Sequence, residues 1–100
     1  MLSIEKKGSA SEMTVALGGR LDTTTAPQLE KALSQELDGV TALTFDMEAL
    51  EYISSAGLRV LMTAQKTMAA AGGKVLVASP NDMVRGVLDM TGLSGVLEIA

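Results

Sequence analysis

Ser54 and Ser55 stand together in the stretch "EYISSAGLRVLM", between a β-like segment and an amphipathic helical pattern, with Ala56-Gly57 directly after them. An adjacent pair of hydroxyls at the mouth of a helix has four chemical readings: a nucleophile, a cradle for an anion, a helix N-cap, or an acceptor for covalent modification. A hydrolytic serine needs a base for its proton, usually histidine, and the chain contains none. Lys66 lies three turns along the following helical pattern and Lys74 on the strand after it, which leaves a Ser-Lys dyad without support. The residues around the pair, Ile-Ser-Ser-Ala-Gly, also lack the Gly-x-Ser-x-Gly elbow of a nucleophilic serine. The protein is therefore expected not to be an enzyme. No metal or cofactor is expected either, because carboxylates occur without a cluster of His or Cys ligands. Backbone N–H groups ahead of Gly57 favour an anion, yet no Walker-type spacing accompanies them. Capping by Ser54 or Ser55, worth about 1 kcal/mol, is the simplest reading. Residue chemistry alone leaves it open beside modification.

Composition narrows the partners. A formal charge of -4 and only two aromatics, Phe45 and Tyr52, argue against nucleic acid, which demands clustered cations and stacking platforms. No apolar run approaches the roughly 20 residues that span a bilayer, and the N-terminus lacks a signal-peptide core, so membrane insertion is not expected. The absence of cysteine fits a cytoplasmic location. With 47% hydrophobic residues, the 100-residue chain has material for one real core, built of Leu, Val, Ile, Met and Ala.

The elements that position the serines follow from periodicity. Leu2 to Lys7 and Met13 to Gly19 read as strands around a Gly8-Ser9-Ala10-Ser11 turn. Ala26, Leu29, Leu33 and Leu37 recur at helical spacing; Thr25 is placed to cap that helix, with Pro27 in its first turn and Gln28 at the capping-box position. Thr41 to Met47 is the next strand. A helix over Ala56 to Ala71 follows, with Leu58, Leu61, Met62, Met68 and Ala69 as its inward stripe. Lys74 to Ala78 has the near-continuous apolar character of a parallel strand. Ser79-Pro80-Asn81-Asp82 caps a last helix, with Val84, Val87 and Leu88 inward and Gly92 closing it. The order β-β-α-β-α-β-α predicts a single α/β domain over residues 1–100: a mixed, mostly parallel sheet of four to five strands packed against helices. Its first strand joins antiparallel at an edge. Sites in such sheets gather outside the carboxyl ends of the parallel strands. Two loops meet there, "GRLDTTTA" and "MEALEYISSAG", which brings Asp22 beside the serine pair.

The run from Tyr52 to Leu93 resembles the STAS domain, the module of bacterial anti-sigma factor antagonists. "GGRLDTTTAPQLEKAL" resembles that family's Gly-x-Leu-Asp signature with its following helix, and "LTFDMEALEYISSAGL" its strand and serine-bearing loop. The similarity covers essentially the whole chain in the order already inferred. It implies that Ser55, two positions before Gly57, is a phosphorylation site, and that Asp22 sits near it and contacts the kinase. Well-known members carry Asp where this chain has Ser54 and Ser where it has Ala56. The implied partner is an anti-sigma factor with serine-kinase activity. It would meet a surface of Asp22, Thr23, Thr24, Thr25, Ser54, Ser55, Arg59, Thr63 and Lys66, with Asp89, Met90 and Leu93 as possible additions by position. An alternative within the same family is a constitutive interaction subunit, such as the small partner of a lipid-transport ATPase. A nucleotide-sensing module with the serine loop as phosphate cradle is a third reading. Asp46 is expected to fix a loop at a strand end, and Met62 and Met68 to pack in the core.

Overall fold

β1 (Leu2–Gly8) pairs antiparallel with β2 (Glu12–Leu21), and β2 lies parallel to β3 (Ala42–Ile53). β4 (Lys74–Ala78) and the two-residue β5 (Glu98–Ile99) continue the parallel set, so the order across the sheet is the order along the chain. The computed structural model describes residues 2–9, 11–34, 36–95 and 97–99. Helices α1 (Ala26–Leu33), α2 (Ser55–Ala70) and α3 (Asp82–Met90) connect successive parallel strands. Each crossover steps to the next strand in the same direction, so right-handed connections lay the helices on a common face. The α/β class and the antiparallel edge strand are as the sequence predicts. The final β5, which follows a short 3-10 turn at Leu93–Gly95, lies beyond the expected elements.

The largest departure is the length of β3. The sequence predicts a strand ending at Met47 and a loop from there to the serines, whereas the chain stays in the sheet to Ile53. The buried residues of β3 are Leu43, Phe45, Met47, Leu50 and Ile53. Strict alternation gives way to threefold spacing because β3 bulges twice against β2, between the Ala16/Asp46 and Gly18/Ala49 pairs and again between Gly19/Leu50 and Arg20/Tyr52. Each bulge adds one residue to β3 and restores the inward face. Asp46 therefore lies within the strand instead of at its end; its Oδ1 accepts from the Glu48 N–H at 3.1 Å and braces the first bulge.

Helix boundaries shift for identifiable reasons. α1 stops at Leu33, and Leu37 reaches the core from the irregular segment that follows. Gln35, within the longer expected helix, and Ala10, within the expected turn, lie outside the described residues. On α2 the buried stripe runs through Leu58, Leu61, Ala64 and Met68, while Met62 is 42% exposed and Ala69 is exposed. Met62 follows Leu61 by about 100° of helix rotation, which turns it out of the stripe. At α3 the Asn81 side chain caps through Oδ1, accepting from the Val84 N–H at 2.8 Å. Its Nδ2 donates to the Leu50 carbonyl at 3.1 Å. That bond anchors α3 to the part of β3 beyond its last rung with β4, Asp46–Ala78.

Candidate functional site

β2 and β3 finish level with each other. Leu21 pairs with Ile53, and the Ser54 N–H donates to the Leu21 carbonyl at 2.9 Å. From that last rung the two chains turn away into α1 and α2, so Asp22 and the serines lie side by side at the carboxyl edge of the sheet.

Asp22 is a turn builder. Its Oδ1 accepts from the Thr24 and Thr25 N–H groups, each at 3.0 Å. The Thr25 N–H, foremost, holds this carboxyl below the usual carboxylate range, aided by the Thr25 hydroxyl and the Thr24 N–H and opposed by partial desolvation. The expected Thr25 cap does not form in its usual sense: no side-chain bond reaches the first turn of α1, and the capping box with Gln28 is absent. The Thr25 hydroxyl instead accepts from the Asp22 N–H at 2.8 Å and donates to the Arg20 carbonyl at 2.8 Å, with Asp22 Oδ1 also in reach at 3.1 Å. Thr25 is only 5% exposed, so of the three threonines expected at the surface only Thr23 and Thr24 face outward. Backbone geometry explains the change. Once Asp22 and Thr25 close the turn on each other, the Thr25 hydroxyl points back at the strand end and away from the helix.

Ser54, extended at φ -102° and ψ 175°, is the N-cap of α2, and its Oγ accepts from the Gly57 N–H at 3.4 Å. Ser55 is the first helical residue and is exposed. Among the described residues no hydrogen bond engages its hydroxyl, and the first turn of α2 contains no acidic side chain. Gly57 is buried, and a Cβ there would come within 2.6 Å of Leu21 Cγ and 3.0 Å of Ile53 Cγ1. The glycine thus lets the first turn of α2 settle directly on the ends of β2 and β3. Arg59, Thr63 and Lys66 are all exposed and fall at i+4, i+8 and i+11 from Ser55, on one face of the helix. The Thr63 hydroxyl turns back to its own helix, donating to the Arg59 carbonyl at 3.0 Å. At the end of α3, Asp89 and Met90 are exposed whereas Leu93 is buried in the core, so Leu93 is no contact residue.

The strand ends carry one arrangement that sequence reasoning missed. Arg20 and Tyr52 are register partners, and the guanidinium lies 4.4 Å from the centre of the Tyr52 ring. Arg20 Nε is also 3.9 Å from Asp22 Oδ2. The "GRLD" and "EYIS" segments contain the signal, but only the double-bulged register brings the two side chains opposite each other. Among the described residues, no group of three or more His, Cys, Asp or Glu side chains is placed to hold a metal ion. No helix among them is long and apolar enough to cross a membrane.

The STAS domain family model matches residues 2–100. The chain belongs to the STAS domain family. It is similar to an anti-sigma-B factor antagonist of Listeria monocytogenes, with 29% identity over 101 residues, covering 98% of this chain and 88% of that protein. In three dimensions this STAS domain is similar to the anti-sigma factor antagonist SpoIIAA in its unphosphorylated form, with a TM-score of 0.88 and 21% identity over 98% of this chain and 88% of the other. The phosphorylated form of SpoIIAA from Bacillus gives a TM-score of 0.79 at 20% identity, over 98% and 91% of the two chains. The fold is thus shared over 98% of this chain.

Proposed function

We propose that this STAS domain is an anti-sigma factor antagonist switched by phosphorylation of Ser55. Unmodified, it binds an anti-sigma factor that is also a serine kinase, displacing the sigma factor and permitting transcription in the cytoplasm. The observation that carries this reading is the division of labour between the two serines. Ser54 is committed to the cap, while Ser55 stands exposed beside Asp22 with its hydroxyl uncommitted. The names of its relatives, anti-sigma factor antagonists among them, support the partner class.

A phosphate at the first position of α2 brings about -1.5 to -2 charges to the positive end of the helix, which stabilises it by roughly 0.3–1 kcal/mol. The fold tolerates it. The contact surface does not, because a partner that desolvates a small hydroxyl there must instead bury a dianion, at a loss of tenfold or more in affinity. Arg59, Thr63 and Lys66 continue that surface down the same helix face, and Thr23 and Thr24 flank it.

Incubation with the anti-sigma kinase and ATP is expected to add one phosphate, lost in Ser55→Ala and retained in Ser54→Ala. Isothermal titration then compares unmodified, phosphorylated and Ser55→Asp protein, with Ser55→Asp losing part of the affinity. Equal binding by the phosphorylated and unmodified forms would sink the switch and favour a constitutive interaction subunit.

A further inference from the structure

A phosphate on Ser55 meets a charge problem that the geometry around it answers. The incoming dianion arrives next to Asp22, whose carboxylate is held ionised by its turn and whose Oδ1 is already saturated by donors from Thr24 and Thr25. Two like-charged groups this close repel unless a cation stands between them. Two arginines are placed to supply that cation, Arg59 on α2 and Arg20 at the end of β2. Arg59 lies one helical turn beyond Ser55, the i, i+4 spacing at which an acidic group followed by a basic one pairs favourably on a helix. None of the ion pairs among the described residues involves it. Arg20 approaches from the strand side. Its guanidinium is parked on the Tyr52 ring and reaches Asp22 Oδ2 only at 3.9 Å, beyond hydrogen-bond distance. The Leu21–Ile53 pair and the Ser54–Leu21 bond place Asp22 level with the serines, and Arg20 approaches that same Asp22 from the strand end.

We propose that Arg59 and Arg20 form an internal clamp for the Ser55 phosphate, with Arg59 closing on it along the helix and Arg20 bridging it to Asp22. The inference rests on phosphorylation at Ser55 as the switch. In this arrangement Arg20 exchanges its stack on Tyr52 for charge-assisted bonds to two anions, and a planar guanidinium presents enough donors for both. Exposed Glu51, which precedes Tyr52 in the second bulge, adds a further negative charge to this strand end. The phosphorylated surface then differs from the unmodified one in three ways: it gains a phosphate, Arg59 is drawn back toward Ser55, and the Tyr52 ring is uncovered.

The test uses full-length protein with phosphoserine installed at position 55 through an expanded genetic code, and follows the second phosphate ionisation by phosphorus NMR. A nearby cation lowers that pKa, so Arg59→Gln and Arg20→Gln are each expected to raise it by about half a unit at low salt, and the double variant by more. Near 1 M salt the differences should shrink. The Tyr52 ring resonances are expected to move with the phosphate titration in the parent protein and to stay still in Arg20→Gln. A second pKa unmoved in the double variant, or moved by only one of the two substitutions, overturns the clamp. Because the phosphate is installed without a kinase, failure of an anti-sigma kinase to modify Ser55 would count against the switch alone, while these titrations bear on the clamp alone.

Discussion

Leu21 and Ser54 are joined main chain to main chain, the Ser54 N–H donating to the Leu21 carbonyl at 2.9 Å. This single rung closes the β2–β3 pair and holds two turns in fixed relation, the Asp22–Thr25 turn into α1 and the serine turn into α2. A surface made of both loops is therefore set by the sheet, and perturbations to its support are readable as stability changes.

Thr25→Val removes a hydroxyl that the Asp22 N–H and the Arg20 carbonyl both use, in a side chain that is 5% exposed. Leaving such buried groups without partners costs about 1–3 kcal/mol. Thermal or urea denaturation of Thr25→Val is expected to show a loss of that size, against a negligible change for exposed Thr23→Val. Equal effects at the two positions would contradict the role given to Thr25.

Gly57→Ala places a methyl group within 2.6 Å of Leu21 Cγ. The added volume forces α2 away from the strand ends, at about 1–3 kcal/mol despite alanine's better helix propensity. Because the shift occurs beneath Ser55, partner binding should weaken beyond what the stability loss alone produces. A variant as stable as the parent would mean that Leu21 yields freely.

Asp22 links pH to the same turn. Its folded pKa is depressed, so its contribution to stability is present above the ordinary carboxylate value and disappears as pH falls through the lower folded value. Nitrogen-edited NMR should show the Thr24 and Thr25 amides titrating together, with an inflection below the usual carboxylate range. Asp22→Asn should abolish that titration while keeping an oxygen to accept the two N–H bonds.

Ser55 has no histidine to activate it, since the chain contains none. The purified protein is expected to hydrolyse carboxylic and phosphate esters and nucleotides at the background rate. Turnover that vanishes in Ser55→Ala would show that another residue serves Ser55 as a general base.

The order of elements and the meeting of Asp22 with the serines were readable because helices α1 to α3 have clear 3.6-residue periodicity, and α2 and α3 begin at capping residues. β3 was only half readable. Met47, Leu50 and Ile53 are spaced by three, a pattern unlike an alternating strand, and only pairing with β2 reveals that two bulges produce it. β5 offers two residues, too few for any period to show. Thr25 has the residue type and position of a cap, and its reassignment comes from turn geometry that sequence spacing does not encode. The Arg20–Tyr52 stack escaped for the same reason as β3, since its partners face each other only after both register shifts.

The coincidence of sheet order with chain order has a consequence for synthesis. As the chain leaves the ribosome, each new strand finds its only earlier neighbour already at the growing edge, and none has to be wedged between two strands laid down before it. Vectorial accretion of this kind leaves one temporarily open edge at a time, first β2, then β3, then β4, and so limits the interval in which unpaired backbone is available to other nascent chains. β3, the longest strand and the one that carries the serine turn at its end, is completed before the residues of α2 and β4 exist. Its β2-facing edge, with both bulges, can therefore be templated on β2 alone, ahead of the helix that Ser54 will cap.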